Sequence, residues 1–170
     1  MSTTPASPPS PAARTLAIRA ALLAVNLLFL MVWGFAGLEK VFHGPPAWFE
    51  TKFGATILAK FPGVTASFWL LAMAEVAAFL LAAIALGRGE FLQRRAPIVL
   101  SWALAWSLLV FVQLGFGQWL LGDYAGGAQL FTYFAGNLVA LHFVLAVPAL
   151  TLARTPASAS DVPTHPPGHS

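Results

Sequence analysis

The chain contains no cysteine among its 170 residues. Without thiols it can hold no disulfide, no iron-sulfur cluster, no cysteine-ligated zinc and no covalently attached haem. Any redox role of the protein therefore has to proceed without sulfur chemistry.

Charged residues are also scarce. They make up 9% of the chain, against roughly 25% in soluble domains, while 58% of the residues are hydrophobic. A soluble fold could not hide that much apolar surface. The nine Lys and Arg residues give a pI near 9.8, but they are scattered and mostly flank apolar runs. We interpret them as topology determinants and exclude a nucleic-acid partner.

Four long apolar runs fill most of the sequence. Each run is long enough to cross a hydrocarbon core of roughly 30 Å as a helix, and the sequence shows no alternating barrel pattern. Because an open sheet would leave backbone groups unsatisfied in lipid, we predict an all-α transmembrane four-helix bundle. The membrane domain covers residues 15–153, with spans at about 16–38, 64–86, 97–121 and 129–152. The first run is too long for a signal peptide, so we expect it to be retained.

The segments at either end differ in composition from the spans. Residues 1–14 and 154–170 are rich in Pro, Ser, Thr and Ala, which predicts disordered tails. The side that holds both tails and the second loop carries six arginines, and the other side carries three lysines. By the positive-inside rule both termini lie in the cytoplasm, and we expect the plasma membrane, the inner membrane of a bacterium. These cations are Arg14, Arg19, Arg88, Arg94, Arg95 and Arg154 on one side and Lys40, Lys52 and Lys60 on the other.

The first loop, on the predicted outer side, has a helical pattern of its own. Phe49, Phe53, Ile57 and Phe61 recur at every fourth position, with polar residues between them. This spacing predicts a short amphipathic helix within residues 46–61. Such a helix can lie on the membrane surface as a connector or fold over the mouth of the bundle as a lid.

A single carboxylate, Glu75, lies near the middle of the second span. Placing a charge there costs on the order of a few kcal/mol, so Glu75 needs a partner or a function. Counted inward from the outer span ends, the polar residues of all four spans fall into one slab roughly 12 to 21 Å deep. We therefore expect them to face a common interior, and the candidate ligand-binding residues are Asn26, Trp33, Lys40, Glu75, Gln113, Tyr133, Asn137 and His142.

Each candidate also has a purely structural interpretation. Asparagine and glutamine amides often join transmembrane helices through hydrogen bonds, and Lys40 at the end of its span can serve as an interfacial anchor. His142 has no second intramembrane histidine with which to hold a haem. Glu75 can be protonated and merely hydrogen-bonded, or it can serve a proton, a cation or a quinone-like head group. The sequence indicates no catalytic residue, no metal site and no resident cofactor.

Several short segments are similar to those of a known family. They are Gly37–Lys40, Pro45–Pro46, Ala74–Glu75, Leu80–Leu81 with Gly87–Arg88, and Leu130–Phe134. Over residues 16–152 the chain resembles the DoxX-like family of small four-helix membrane proteins. The resemblance implies a four-helix bundle. In some relatives it also implies a subunit of a membrane oxidoreductase, such as thiosulfate:quinone oxidoreductase, that works with a partner chain.

These observations lead to one preferred hypothesis and two alternatives. In the first, the chain is a non-autonomous membrane subunit with a polar pocket around Glu75 that binds a quinone or another small amphipathic molecule, next to a redox-active partner protein. In the second, it is a structural or assembly protein whose polar residues only specify helix pairing. In the third, it is a small proton-coupled transporter, which the absence of a span broken at mid-depth disfavours. The oligomeric state stays open.

Overall fold

The computed structural model describes residues 10–93 and 96–152. This part of the chain is entirely helical, with two 3-10 turns, Ile57–Ala59 and Glu90–Leu92, in the loops. The five α-helices are α1 (Pro11–His43), α2 (Ala47–Phe53), α3 (Val64–Gly87), α4 (Ile98–Leu120) and α5 (Tyr124–Leu152). Of the tails predicted at residues 1–14 and 154–170, residues 1–9 and the whole second tail lie outside the described residues.

Four of these helices, α1, α3, α4 and α5, are long and apolar enough to cross a membrane. Large apolar side chains such as Phe35 and Trp102 cover their exposed surfaces, whereas alanines fill much of the interior face of α3. A body with its largest apolar groups on the outside requires lipid as its solvent. The prediction of an all-helical integral membrane protein with four spans is confirmed.

Helices α1 and α5 begin before their predicted spans because polar caps define their starts, whereas α3 and α4 match their predicted spans to within one residue at each end. Ser10 accepts a hydrogen bond from Ala13 N at 3.3 Å, and Pro11 follows it at the first helical position. Residues 11–14 therefore belong to α1 and not to the tail. At the start of α5, Asp123 Oδ1 accepts a hydrogen bond from Gly126 N at 2.9 Å. The helix begins at Tyr124, five residues before the predicted span. Hydropathy identifies the apolar middle of a span and misses such caps.

The four long helices pack in an antiparallel series. Helix α1 packs on α3, α3 on α4, and α4 on α5, while α1 and α5 touch little. Two glycines allow the closest approach, between α1 and α3. A side-chain carbon at Gly37 would lie 3.0 Å from Val76 N, and one at Gly34 would lie 3.1 Å from the Phe79 ring. Small residues at a helix crossing let two backbones pack closely in lipid.

The close approach at Gly37 fixes the height of α1 in the bundle. From this level α1 continues for about 9 Å to His43, whereas α3 continues for about 16 Å from Glu75 back to Val64. Helix α1 therefore stops short of the end of α3, and this leaves a recess beside α3. We call this end of the bundle the α2 end, because α2 covers the recess, and the opposite end the Glu90 end.

Helix α2 is shorter than the periodicity of the first loop predicts. Its Phe49 and Phe53 are buried in a cluster with Phe68 of α3, and the helix ends at Phe53. Gly54 and the 3-10 turn at Ile57–Ala59 change the chain direction, so Ile57 and Phe61 are exposed instead of continuing the same face. Only the first half of the four-residue repeat thus lies against the bundle.

The second loop is anchored by a buried carboxylate, Glu90. Its Oε1 accepts from Val99 N at 3.0 Å and its Oε2 from Leu100 N at 2.9 Å. These amides belong to the first turn of α4, which has no intrahelical acceptor for them, and a negative charge there also complements the helix dipole. Glu90 therefore caps α4 from a distance of eight residues in the sequence.

We expect Gly37→Leu to destabilise the bundle by about 1–3 kcal/mol, because a larger side chain there must push α1 away from the α3 backbone. Gly136→Leu is the matched control, since nothing lies within 4 Å of a side-chain carbon at Gly136. Unfolding with sodium dodecyl sulfate, followed by circular dichroism, gives both stabilities. Equal losses in the two variants would contradict the packing role of Gly37.

Replacing Glu90 with alanine leaves two buried amides without an acceptor, so we expect Glu90→Ala to cost about 1–3 kcal/mol in the same unfolding experiment. The exposed Glu39 provides the control, and Glu39→Ala is expected to change stability by less than about 0.5 kcal/mol. A Glu90→Ala protein as stable as the control would show that the cap does not stabilise α4.

Candidate functional site

The centre of the candidate site is an ion pair between Lys40 of α1 and Glu75 of α3. Lys40 Nζ lies 2.8 Å from Glu75 Oε2 and donates a hydrogen bond to Oε1 at 3.1 Å. It also donates to Ala36 O, one turn earlier in α1, at 3.3 Å. The Glu75 side chain is 1% exposed and that of Lys40 is 25% exposed. The acid is therefore enclosed, and the lysine lies between it and the outside.

Local sequence explains why the two charges meet. Gly37 brings α1 against the α3 backbone at Glu75 and Val76. Lys40 follows three residues later, on the same side of α1 and about 4.5 Å further along the axis. The lysine side chain can then lie back along its own helix and reach the carboxylate. A residue larger than glycine at position 37 would separate the helices at this point.

A cavity of about 660 Å³ fills the recess at the α2 end. Its walls are the end of α1, the inner face of α2, the first turns of α3 and the last turns of α4. Most of the lining is apolar, with Phe49, Phe53, Phe68, Leu71 and Leu114 among the residues. Lys40 also lines this cavity, whereas Glu75 does not. The lysine thus separates the acid from the space in which a small molecule could bind.

Gln113 of α4 is a second polar group on the cavity wall. The residue is partly buried, and within the described residues no protein group forms a hydrogen bond with its amide. A glutamine amide offers two donors and one acceptor. In a membrane-embedded cavity these groups need water or a ligand as partners. Gln113 and Lys40 are therefore two of the head-group contacts that this cavity provides, and His43, Lys52 and Gln118 also line it.

Three other predicted site residues join helices and lie away from the cavity. Trp33 Nε1 donates to Ser107 Oγ at 2.7 Å and packs against Phe111, with ring centroids 5.1 Å apart. Asn137 Nδ2 donates to Leu104 O at 3.0 Å. The Asn26 amide lies 3.0 Å from Ala82 O and 3.2 Å from Leu86 N and bonds both. These contacts correspond to the structural interpretation of the residues.

The last two predicted residues face away from the interior. Tyr133 is half exposed on α5, where its hydroxyl accepts a hydrogen bond from Gln129 Nε2 at 2.5 Å. His142 is also exposed on α5. Asn137 is level with Leu104, and His142 lies about 7 Å beyond it, near the height at which α4 begins. His142 therefore lies at the Glu90 end of the bundle, and neither residue lines the cavity.

The polar side chains do not form the single slab that was expected. Asn26 bonds to residues seven and eleven positions after Glu75, which is about 10 to 16 Å nearer the Glu90 end. Gln113 lies about 10 Å nearer the α2 end than Trp106, whose Nε1 donates to Ala74 O at 2.9 Å. The depths were counted from the outer ends of the spans on the assumption that all four spans end at one height, whereas α1 stops short of the end of α3. The polar contacts are instead distributed along the bundle axis.

Several groups that bond across helices or line the cavity were not among the predicted site residues. Ser107, Trp106 and Glu90 all bind across helices or loops, but nothing in their local sequence identifies a partner tens of residues away. His43 and Lys52 line the cavity together with Lys40. Their positions in the first loop were available signals, since a short helix within residues 46–61 was predicted either to lie on the membrane surface or to fold over the mouth of the bundle. Among the described residues, no three His, Asp or Glu side chains come together as metal ligands would.

Comparisons with protein-family models, with curated proteins and with solved structures find no match for this chain. The description of the site therefore depends on its geometry alone.

A double-mutant cycle tests the ion pair. Lys40→Met leaves a buried carboxylate without a counterion, and we expect a loss of about 3 kcal/mol. Glu75→Leu should cost about 1 kcal/mol, because the lysine is near a helix end and can extend towards water. The double variant should be more stable than Lys40→Met alone, as measured by unfolding in sodium dodecyl sulfate. If the two losses simply add, the charges do not interact.

Proposed function

We propose that this protein is a membrane-embedded binding subunit that holds a small amphipathic molecule in the cavity beneath α2. The observation that carries the proposal is the cavity itself, an apolar space of about 660 Å³ with the ion-paired Lys40 in its wall. Ligand sites are usually concave and mostly apolar, with a few polar groups that orient the ligand. This cavity has both properties.

The polar groups suggest how a ligand would be oriented. Its head group would contact the Lys40 ammonium and the Gln113 amide, and its apolar part would lie against Phe49, Phe53 and Phe68. Glu75 holds Lys40 in place from behind and does not itself line the cavity. In this proposal Glu75 is a positioning residue, and the carbonyl oxygens of a quinone would suit the two donors.

The chain would act together with a second protein. The described residues offer no metal cluster, and the sequence has no thiol, so electrons for a bound quinone would come from a redox-active partner. The DoxX-like resemblance at Gly37–Lys40 and Ala74–Glu75 points the same way, towards a subunit of a membrane oxidoreductase. The chain would then supply the quinone site without being an enzyme by itself.

The proposal includes a topology. By the positive-inside rule, the arginine excess in the sequence would put the Glu90 end in the cytoplasm of a bacterial inner membrane, and the cavity would then open on the outer side. Helix α2 would act there as an amphipathic surface helix. Trp48 and Lys52 of α2 are exposed at the mouth of the cavity and support this, with Lys52 Nζ 5.5 Å from the Trp48 ring centroid. Trp119 and Tyr124, both exposed, would complete an aromatic belt at the same interface.

The assembly hypothesis is the second candidate, and a specific observation favours it. Asn26, Trp33, Trp106 and Asn137 all make hydrogen bonds between helices. In that case Lys40 and Glu75 form one more such link, and the cavity holds only lipid or water. Transport is the weakest candidate, because each of the four long helices is continuous throughout the span that is long enough to cross a membrane.

Binding of a short-chain ubiquinone to the protein in lipid nanodiscs tests the proposal. Gln113→Leu removes the amide that has no protein partner, and we expect the dissociation constant to rise about tenfold. Gln129→Leu is the matched control, because Gln129 bonds with Tyr133 on the exposed face of α5. Fluorescence titration against empty nanodiscs gives both constants.

Two results would contradict the proposal. One is wild-type protein that binds no ubiquinone and yields no small amphiphile when its lipid extract is analysed by mass spectrometry. The other is an equal loss of binding in Gln113→Leu and Gln129→Leu. Either result leaves the assembly hypothesis as the better account of the polar contacts.

A further inference from the structure

We infer that the cavity binds an acidic amphiphile as its anion and takes up one proton with it, which neutralises Glu75. This inference rests on the proposed binding function and specifies the chemical class of the ligand. It follows from the position of Lys40, whose ammonium is the counterion of Glu75 and also part of the cavity wall. One cation is thus shared between a fixed carboxylate and any anion that enters.

Among the described residues, the ammonium of Lys40 is the cation that stabilises the negative charge of Glu75. The carboxylate is 1% exposed, and Lys40 is its only ion-pair partner in the described residues. The hydrogen bond from Lys40 reaches Oε1, and Oε2 has no hydrogen bond of its own within the described residues. A buried carboxylate without a counterion is strongly unfavourable. Glu75 can therefore remain ionised only while the ammonium faces it.

Within residues 10–93 and 96–152, no other charged group pairs with Glu75 in place of Lys40. The neighbouring residue on α1 is Glu39, which has the wrong sign, and helix α4 contains no titratable side chain at all. The titratable tyrosine of α5 at this height, Tyr133, bonds with Gln129 on the exposed face. Around the cavity mouth lie His43 and Lys52, and neither forms an ion pair with Glu75.

The charge count then determines what happens when an anion enters. In the empty site, one ammonium and one carboxylate sum to zero. A bound anion that draws the ammonium towards the cavity leaves Glu75 uncompensated, and a proton on the Glu75 carboxyl restores neutrality. The proton comes from the buffer of the aqueous phase, which keeps the pH constant, no covalent bond to the ligand forms, and the anion and the proton leave together on release. A lysine side chain is flexible enough to turn between the two partners.

This coupling selects a particular class of ligand. A long-chain carboxylate or phosphate monoester supplies both the apolar tail for the phenylalanine wall and the anion for Lys40. Two lysines, Lys40 and Lys52, lie on the cavity wall with a single carboxylate, Glu39. A neutral amphiphile of equal length can fill the same space but leaves the Lys40–Glu75 pair intact, so its binding involves no proton.

Isothermal titration calorimetry in nanodiscs tests the inference. Decanoate is titrated at constant pH into wild-type protein in two buffers of different ionisation enthalpy, and the difference gives the number of protons taken up. We expect about one proton per bound decanoate and about zero for 1-decanol. Decyl phosphate under the same conditions distinguishes a carboxylate site from a phosphate site. Empty nanodiscs give the background partition of each probe.

Variants separate the two carboxylates of α1 and α3. In Glu75→Gln, decanoate binding should persist and tighten several-fold, because Lys40 is already free, while proton uptake falls to about zero. Glu39→Gln, the matched control, should retain the uptake. Lys40→Met should weaken decanoate at least tenfold and leave 1-decanol unchanged. If Lys40→Met does not fold, the double variant Lys40→Met with Glu75→Gln, which buries no charge, provides the same comparison.

Several outcomes would overturn the inference. It fails if wild-type protein binds decanoate without proton uptake, or if Glu75→Gln takes up as many protons as wild type. It fails while the proposed function survives if ubiquinone or 1-decanol binds and decanoate does not. If none of the probes binds above the empty-nanodisc background, both the inference and the proposed function are wrong.

Discussion

The constraint on which this structure depends is that lipid provides no hydrogen bonds. A polar group within the bundle needs a partner in the protein, in water or in a ligand, and the Lys40–Glu75 pair is the most demanding case because both partners carry charge. The contact at Gly37 brings α1 close enough for the pair to form. The same contact fixes the height at which α1 ends relative to α3, and this difference in height leaves the recess that becomes the cavity. Charge pairing, helix packing and the candidate site are thus consequences of one crossing.

Much of the fold could be predicted because the apolar runs are long and the physics of the bilayer leaves few options. The importance of Glu75 could also be predicted, since an isolated carboxylate in such a run requires an explanation. Its partner could not, because the sequence does not show that Gly37 brings α1 against α3 at that height. Asn26 illustrates the error. Counting from span ends placed it level with Glu75, but its bonds to Ala82 and Leu86 put it well towards the other end.

The direction in which side chains face was harder to predict than their depth. Four-residue spacing puts three polar residues on one stripe of α5, namely Gln129, Tyr133 and Asn137. Of these three, only Asn137 is buried. The other two satisfy each other on the exposed side. Their mutual hydrogen bond removes the need for an interior partner. A polar residue in a span therefore indicates an interior position only when no neighbour one turn away can satisfy it, as is the case for Glu75.

The way α2 is attached has a consequence for exchange between the cavity and its surroundings. Phe49 and Phe53 hold α2 to Phe68, so lifting the helix exposes two phenyl rings at roughly 1.5–3 kcal/mol each. A molecule too large for the cavity mouth beside His43 and Lys52 would leave from behind this helix only while the rings are detached. The strength of that aromatic contact, more than the head-group contacts, would then govern how long an occupant stays.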